Sequence, residues 1–263
     1  MIGFVAVFLG LIWAWLCAST VMAIAFVLYV RTKRPMTVDI AWGAAVTTAV
    51  WGVMQLKGVV FPVAILITLW GARLSVYLYW TRWRLGKADP RYQALESKWG
   101  VHGLMGRYYL FYQIQAMVVA ALLLPVIIRV GLGSAAVGLW DLIGALVFLV
   151  GFVGEIVADR QLLRHKSQHA SVCRTGLWAY SRHPNYFFEW LVWVGVGLTA
   201  FAAGRWGVLG LLSPAMMYMV LVYGTGIPHA EAQSLRRHGN AYRDYQREVP
   251  AFFIRFWPHS RSK

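Results

Sequence analysis

Acidic residues are scarce in this chain: ten Asp and Glu stand against 25 Lys and Arg, and the formal net charge is +15. Long polar stretches are missing as well, none exceeding about 27 residues, which leaves no room for a separate soluble domain. Only two cysteines occur, Cys17 inside a long apolar run and Cys173 in a basic loop, so neither a disulfide nor a thiolate metal site is expected. No run alternates apolar and polar residues as a strand does, no G-x-G-x-x-G follows a strand, and no Walker loop is present. Ser/His/Asp and Cys/His combinations have no supporting context. His165 and His169 stand four apart, a spacing that can ligate a metal on a helix face, but they have no third ligand nearby, and no metal is expected. There is no internal repeat and no low-complexity segment. A transporter built from repeated halves with matching broken spans is therefore disfavoured.

What the chain does have is long apolar runs. A helix needs roughly 20 residues to cross a bilayer core of about 30 Å, and runs of that order cover 2 to 30, 39 to 56, 59 to 80, 108 to 130, 135 to 158, 186 to 203 and 206 to 227. The fold expected is all-α, a polytopic membrane protein with seven transmembrane helices. The loops alternate in charge. Arg31, Lys33 and Arg34 follow the first run. Arg82, Arg84, Lys87, Arg91, Lys98 and Arg107 follow the third, and Arg160, Arg164, Lys166, Arg174 and Arg182 follow the fifth. The tail carries Arg236, Arg237, Arg243, Arg247, Arg255, Arg261 and Lys263, whereas the intervening loops hold Lys57, Arg129 and Arg205 alone. Basic loops stay on the cytoplasmic side, which puts the N-terminus outside and the C-terminus in the cytoplasm, with Arg73 as the one cation expected inside a span. The positive charge is then a topology signal and an attraction to anionic lipid headgroups, and nucleic acid is not needed to explain it. The 14 Trp and 13 Tyr fit interfacial belts, although Trp178, Trp190 and Trp193 are also placed to shape a pocket. The first run, with no basic residue before Arg31 and no cleavage site, reads as a retained span. One membrane domain, 1 to 263, is expected, with spans one to three and their basic loop in 1 to 107 and a second half in 108 to 263.

Ionisable residues in hydrocarbon are costly and mark function by default. Asp39 opens the second run, Arg73 lies late in the third, Glu155 and Asp159 end the fifth and Glu189 begins the sixth. Asp141 sits toward the external side. The cytoplasmic loops interleave cations with aromatics and amides, in Arg82, Arg84, Arg91, Tyr92, Arg164, Lys166, Arg182, His183, Asn185 and Tyr186. Such a surface suits a polyanion with flat rings, since guanidinium forks bind phosphate and stack on aromatic faces. The most specific stretch runs from Gly176 to Tyr186 through Arg182-His183-Pro184-Asn185, with Glu189 one turn on. Pro184 suits a first helical turn, so Arg182 and His183 precede a helix N-terminus that attracts anions. A plain basic juxtamembrane cap is the other reading. The segment from Glu231 to Pro250, with His238, Gly239, Tyr242 and Tyr245, reads alone as an amphipathic interfacial helix.

Together these residues resemble the C-terminal region of the membrane steroid 5α-reductase family, and the segments Asp39-Ile40-Ala41-Trp42-Gly43 and Arg73 through Asp89-Pro90-Arg91-Tyr92 resemble its bacterial branch. The likeness spans about 39 to 256. It implies NADPH-dependent reduction of the Δ4 double bond of a 3-oxo-Δ4-steroid or a similar enone lipid. The family places an acid and a tyrosine at the ketone. Asp39 matches the acid, protonated so as to donate, while counting back from Arg73 lands on Trp70 where a tyrosine is expected, leaving Trp70, Tyr77 or Tyr112 as the second donor. For the cofactor the resemblance implies Asp159, Asn185 and Glu189, with Asn185 and Glu189 at the carboxamide, and also Arg73, Arg82, Arg84, Lys166, Arg182, His183, Tyr186 and Tyr245. The implied partners are membrane lipids and an apolar substrate that enters from the bilayer, with no obligate protein partner and no nucleic acid. The implied location is a bacterial inner membrane with the cofactor site facing the cytoplasm. Arg-His-Pro-x-Tyr and a terminal Glu and Tyr-x-x-Tyr also resemble membrane methyltransferases of the isoprenylcysteine and phospholipid type, which bind S-adenosylmethionine, so that activity is the alternative.

Overall fold

A computed structural model describes residues 2–84, 90–100 and 102–255. Lys87, Asp89, Arg261 and Lys263, named above, lie outside the described residues. Among the described residues the regular elements are all helices, with no strand. Five helical stretches among them are long and apolar enough to cross a membrane, and a bent pair makes a sixth if it counts as one span. The chain divides into two compact units. One comprises 1–145 and 196–213, the other 146–195 and 214–263.

The first unit is built on α1 (Ile2–Thr32), α2 (Thr37–Gln55) and α3 (Pro62–Leu78), joined by α4 (Pro90–Trp99), α5 (Leu104–Leu122) and α6 (Leu124–Leu132). In α1, Ala14, Ala18, Met22, Ala25 and Tyr29 are buried at three- and four-residue spacing, forming one stripe. Phe8, Leu9, Ile12, Leu16 and Ile24 of the same helix are exposed. A large apolar surface of that kind is stable against hydrocarbon and unstable in water. The helix stops at Lys33, whose φ of 57° is left-handed, two residues before Pro35. Helices α2 and α3 touch backbone to backbone: a Cβ on Gly43 would lie 2.2 Å from the Gly71 carbonyl oxygen. Ser75 Oγ donates to the Ile40 carbonyl 2.7 Å away, beside that contact. Helix α3 continues into a π-helical turn, Tyr79–Trp83. Between α5 and α6 the axis bends by 46°. Pro125, in the first turn of α6, has no N–H for the ladder and its ring crowds the carbonyl four residues back.

The unit also corrects two expectations about charge. Arg129 is not a loop residue: it lies in α6 and is fully buried. Its guanidinium grips Asp141 at two points, Nε to Oδ1 and Nη2 to Oδ2, each 2.8 Å. It also donates to the Ser134 and Ala136 carbonyls, and its Cζ lies 3.9 Å from the centre of the Phe61 ring. Arg73 is therefore not the one cation inside a candidate span, since Arg129 lies in the bent α5–α6 pair. A lone Arg in an uncharged stretch reads as a loop residue, and only the fold supplies the carboxylate that makes its burial affordable.

In the second unit lie the C-terminal part of α7 (Leu139–Gln168), most of α8 (Pro184–Thr199) and α9 (Leu212–Val222), and all of α10 (Ile227–His238) and α11 (Asn240–Glu248). The α7 and α8 segments are antiparallel and in van der Waals contact through two glycines. A Cβ on Gly151 would sit 2.6 Å from the Val192 nitrogen, and one on Gly154 would sit 2.2 Å from the Phe188 ring.

The sequence reads 186 to 203 and 206 to 227 as two spans. Helical residues run from Pro184 to His238, but the 3-10 region within them, Ala200–Leu211, is broken by non-helical backbone at Ala203 (φ −92°, ψ 16°) and Gly204 (φ 66°, ψ −138°), between the two runs read from the sequence. Gly207 and Gly210 let the chain double back at that kink: a Cβ on Gly207 would meet the Phe201 Cα at 2.3 Å and one on Gly210 the Ala200 Cβ at 2.5 Å.

Candidate active site

The second unit gathers the polar residues of α7 and α8. Glu155 and Asp159 lie one turn apart on α7 and are 4% and 5% exposed. Facing them, Asn185 and Glu189 lie one turn apart on α8, because Pro184 starts that helix and sets Asn185 in its first turn. Asn185 Nδ2 donates to Asp159 Oδ1 at 3.4 Å. Its amide oxygen has no accessible surface and no hydrogen-bond partner. A buried acceptor left unmet costs free energy, so a ligand that brings a donor is favoured at this point.

Around this pair the Gly176–Pro184 segment is laced to the C-terminal helices. Gly176, at φ 61°, begins a 3-10 turn. There the Leu177 N–H donates to Gln161 Oε1 at 2.9 Å and Trp178 Nε1–H to the Ala158 carbonyl at 3.0 Å. Arg182, expected at a cofactor phosphate, is committed elsewhere. Nε and Nη2 meet Glu231 at 2.7 and 2.6 Å, and Nη1 donates to the carbonyls of Gln246 and Val249. His183 is 5% exposed, stacks on Tyr186 at 10° and 5.5 Å, and shares Glu231 Oε1 through Nε2 at 3.3 Å. Burial pulls its pKa below the usual histidine range, Arg182 adds to that, and the Glu231 carboxylate opposes it. Tyr245 donates its hydroxyl to the Trp178 and Ser181 carbonyls, and burial pushes its pKa up. The Glu231 to Pro250 segment is thus two helices hinged at Gly239, φ 55°, and docked on the loop rather than a free interfacial helix. Lys166 is exposed in the last turn of α7.

A separate cluster belongs to the first unit. Asp39 Oδ2 accepts from Arg91 Nη2 at 2.5 Å and Arg82 Nη1 at 3.2 Å, and Oδ1 accepts from the Tyr92 hydroxyl at 3.0 Å. The expected proton donor is therefore an acceptor on both oxygens. Trp70 is fully buried with its ring edge-on to Trp42, 6.0 Å away. Arg73 lies 5.1 Å above the Tyr77 ring and Arg84 lies 4.5 Å above Trp80. Tyr112, the fallback donor, is buried and gives its hydroxyl to the Pro35 carbonyl at 3.0 Å, beside Thr37 Oγ1.

Sequence reasoning left out Arg91, Tyr92 and Glu231 as site residues. The Asp-Pro-Arg-Tyr run was visible, but its pairing with a carboxylate 52 residues earlier was not. Glu231 reads in the sequence as the start of the amphipathic C-terminal segment, one of three acidic residues there with Asp244 and Glu248, and not as the partner of Arg182. Among the described residues no group of three His, Cys, Asp or Glu side chains is arranged to hold a metal.

A profile of the family described as protein of unknown function, DUF1295, matches residues 25–249. An uncharacterised protein of the fission yeast Schizosaccharomyces pombe is 30% identical, the similarity covering 73% of this chain and 62% of that protein. The chain thus spans less than two thirds of that relative's length. No solved structure matches.

Proposed function

The chain belongs to the DUF1295 family, and from that premise we propose that it is an integral-membrane reductase that uses NADPH to saturate the double bond of a 3-oxo-Δ4-steroid or a similar enone lipid. The segment from Gly176 to Glu189 and the Asp39 to Gly43 segment, which resemble the membrane steroid 5α-reductase family, support that reading. The observation that carries the reading is the buried, unmet amide oxygen of Asn185, held beside Asp159 and one turn from Glu189. A nicotinamide carboxamide offers two N–H groups, and this set offers acceptors for both. NADPH supplies the hydride, which adds to C5 while a proton adds to C4. The chain's residues do the rest. Lys166 is an exposed cation of this unit suited to a phosphate. Arg182, His183 and Tyr245 hold the loop that carries Asn185.

Hydride addition puts negative charge on the ketone oxygen, so a donor must face it. In this reading Asp39 is a positioning residue that holds Arg91 and takes the single O–H of Tyr92, and the Arg91 guanidinium is the donor proposed for that oxygen. The Trp70 ring shapes the apolar wall.

The test is fluorescence titration of NADPH into purified protein. Asn185→Ala should weaken NADPH at least about tenfold, the effect of one lost hydrogen bond to a buried partner. Unchanged affinity in that variant sinks the site. One observation favours the methyltransferase alternative: with Arg182 and His183 committed internally, the buried charge between α7 and α8 is acidic, which suits the cations of S-adenosylmethionine. Binding of that compound with none of NADPH would decide for it.

A further inference from the structure

Where the N-terminal turns of α1 meet the C-terminal ends of α2 and α6, the first unit holds a cavity of about 100 Å³. Ala6 and Gly10, Val53 and Leu56, and Ile127 and Val130 supply apolar walls, and Lys57 lines the mouth. The helices around it are not loosely packed. A Cβ on Gly10 would lie 2.7 Å from Ile127 Cγ2 and one on Gly131 would lie 3.0 Å from Val7 Cγ2, so α1 and α6 touch at both glycines while the hollow persists beside them. Leu56 at the mouth is 52% exposed, and Val5 and Leu9, each next in sequence to a lining residue of α1, are exposed as well. An unfilled void in a packed bundle costs stability. An apolar cavity of this kind excludes water and accepts a hydrocarbon guest.

Lys57 is exposed, yet it is held in place. Its Nζ donates to the carbonyl of Gly133, the residue that caps α6, at 2.8 Å. An ammonium has three N–H bonds, and one neutral acceptor leaves its charge unmatched. The Arg129 guanidinium packs against Gly133 but brings no net charge, because Asp141 matches it. We propose that the cavity and Lys57 form a binding site for one phospholipid with an anionic headgroup, whose phosphate meets Lys57 while the first methylenes of an acyl chain fill the cavity. Val53 precedes Lys57 by four residues, about 6 Å of helix rise, which matches the short step from a phosphate through glycerol to the start of a chain. A zwitterionic headgroup would set its own cation beside Lys57, so a lipid of net negative charge is favoured. A lysine that only capped α2 and α6 would need no cavity below it. The site is separate from the residues assigned to cofactor and ketone and does not depend on the reductase reading.

The experiment irradiates the full chain in nanodiscs that carry phosphatidylglycerol or phosphatidylcholine with a diazirine near the carboxyl end of one acyl chain, and maps the labelled residues by mass spectrometry. Label on other helices serves as the internal reference. In wild type the phosphatidylglycerol probe should label the cavity walls at least about threefold more than the phosphatidylcholine probe, the scale of one ion pair between partly exposed charges. Lys57→Gln, which keeps a donor for the Gly133 carbonyl and removes the charge, should bring the two probes level. Ala6→Leu, which fills the cavity, should remove the label of both probes from its walls, and Ala6→Val takes its place if the leucine variant does not fold. Walls left unlabelled in wild type, equal labelling by the two probes, an unchanged preference in Lys57→Gln, or full labelling in the filled variant overturns the site. So does label that neutral androst-4-ene-3,17-dione displaces and excess unlabelled phosphatidylglycerol does not, since that result gives the cavity to an enone.

Discussion

At the scale of single residues, ionisable side chains in this protein are governed by their partners. Asp39 receives three donors, so its carboxylate orients Arg91 and Tyr92. Asp39→Asn keeps the size and removes the charge that holds them, and steady-state kinetics should show kcat lowered at least about tenfold with NADPH affinity retained. Arg129 and Asp141 are 0% and 2% exposed and bonded at both ends. Breaking that pair with Asp141→Ala strands a cation, and denaturation should show a loss of roughly 3–5 kcal/mol. His183 gives a pH dependence of definite sign. Its folded pKa lies below its ordinary value of 6.5, so between those two values the unfolded chain binds more protons and stability rises with pH. Stability from this group is complete above about pH 6.5 and declines as the pH falls toward the folded pKa. Thermal melts across that window should show the slope, and His183→Gln should flatten it.

At the scale of elements, glycine decides which helices meet. Gly43 and Gly71 bring α2 and α3 into backbone contact, and neither carbonyl can move aside as a side-chain tip could. Gly43→Val should therefore cost toward the upper end of about 1–3 kcal/mol, with the drop seen in melting temperature. Gly151 does the same for α7 and α8 while Gly154 admits the Phe188 ring, and Asn185 then meets Asp159. The sequence showed Asn185 and Glu189 sharing a helix face, because one turn separates them. It did not show Arg182 turning away, because the Glu231 that claims it lies 49 residues later. The bend at Leu123 was not anticipated either, although Pro125 stood in the last third of the fourth apolar run. The close return of the chain at the Ala203–Gly204 kink likewise depends on glycine contacts that the apolar pattern alone does not reveal.

At the scale of the whole molecule, the distribution of Lys and Arg carries the topology reading. If the basic loops face the cytoplasm, a cysteine placed at Ser134 in a Cys17→Ala, Cys173→Ala background should react with an impermeant maleimide in intact cells, and one placed at Ser167 only after permeabilisation. The reverse pattern would invert the orientation. The sequence by itself determined that the chain is helical and resides in a membrane, because period, run length and loop charge are local properties that hydrocarbon enforces residue by residue. Tertiary structure alone decided which charges are buried together, which arginine serves as scaffold and which amide atoms of Asn185 and Gln113 are left unmet. Those outcomes depend on pairings across tens of residues, fixed by how closely helix backbones approach, and no local pattern encodes that distance.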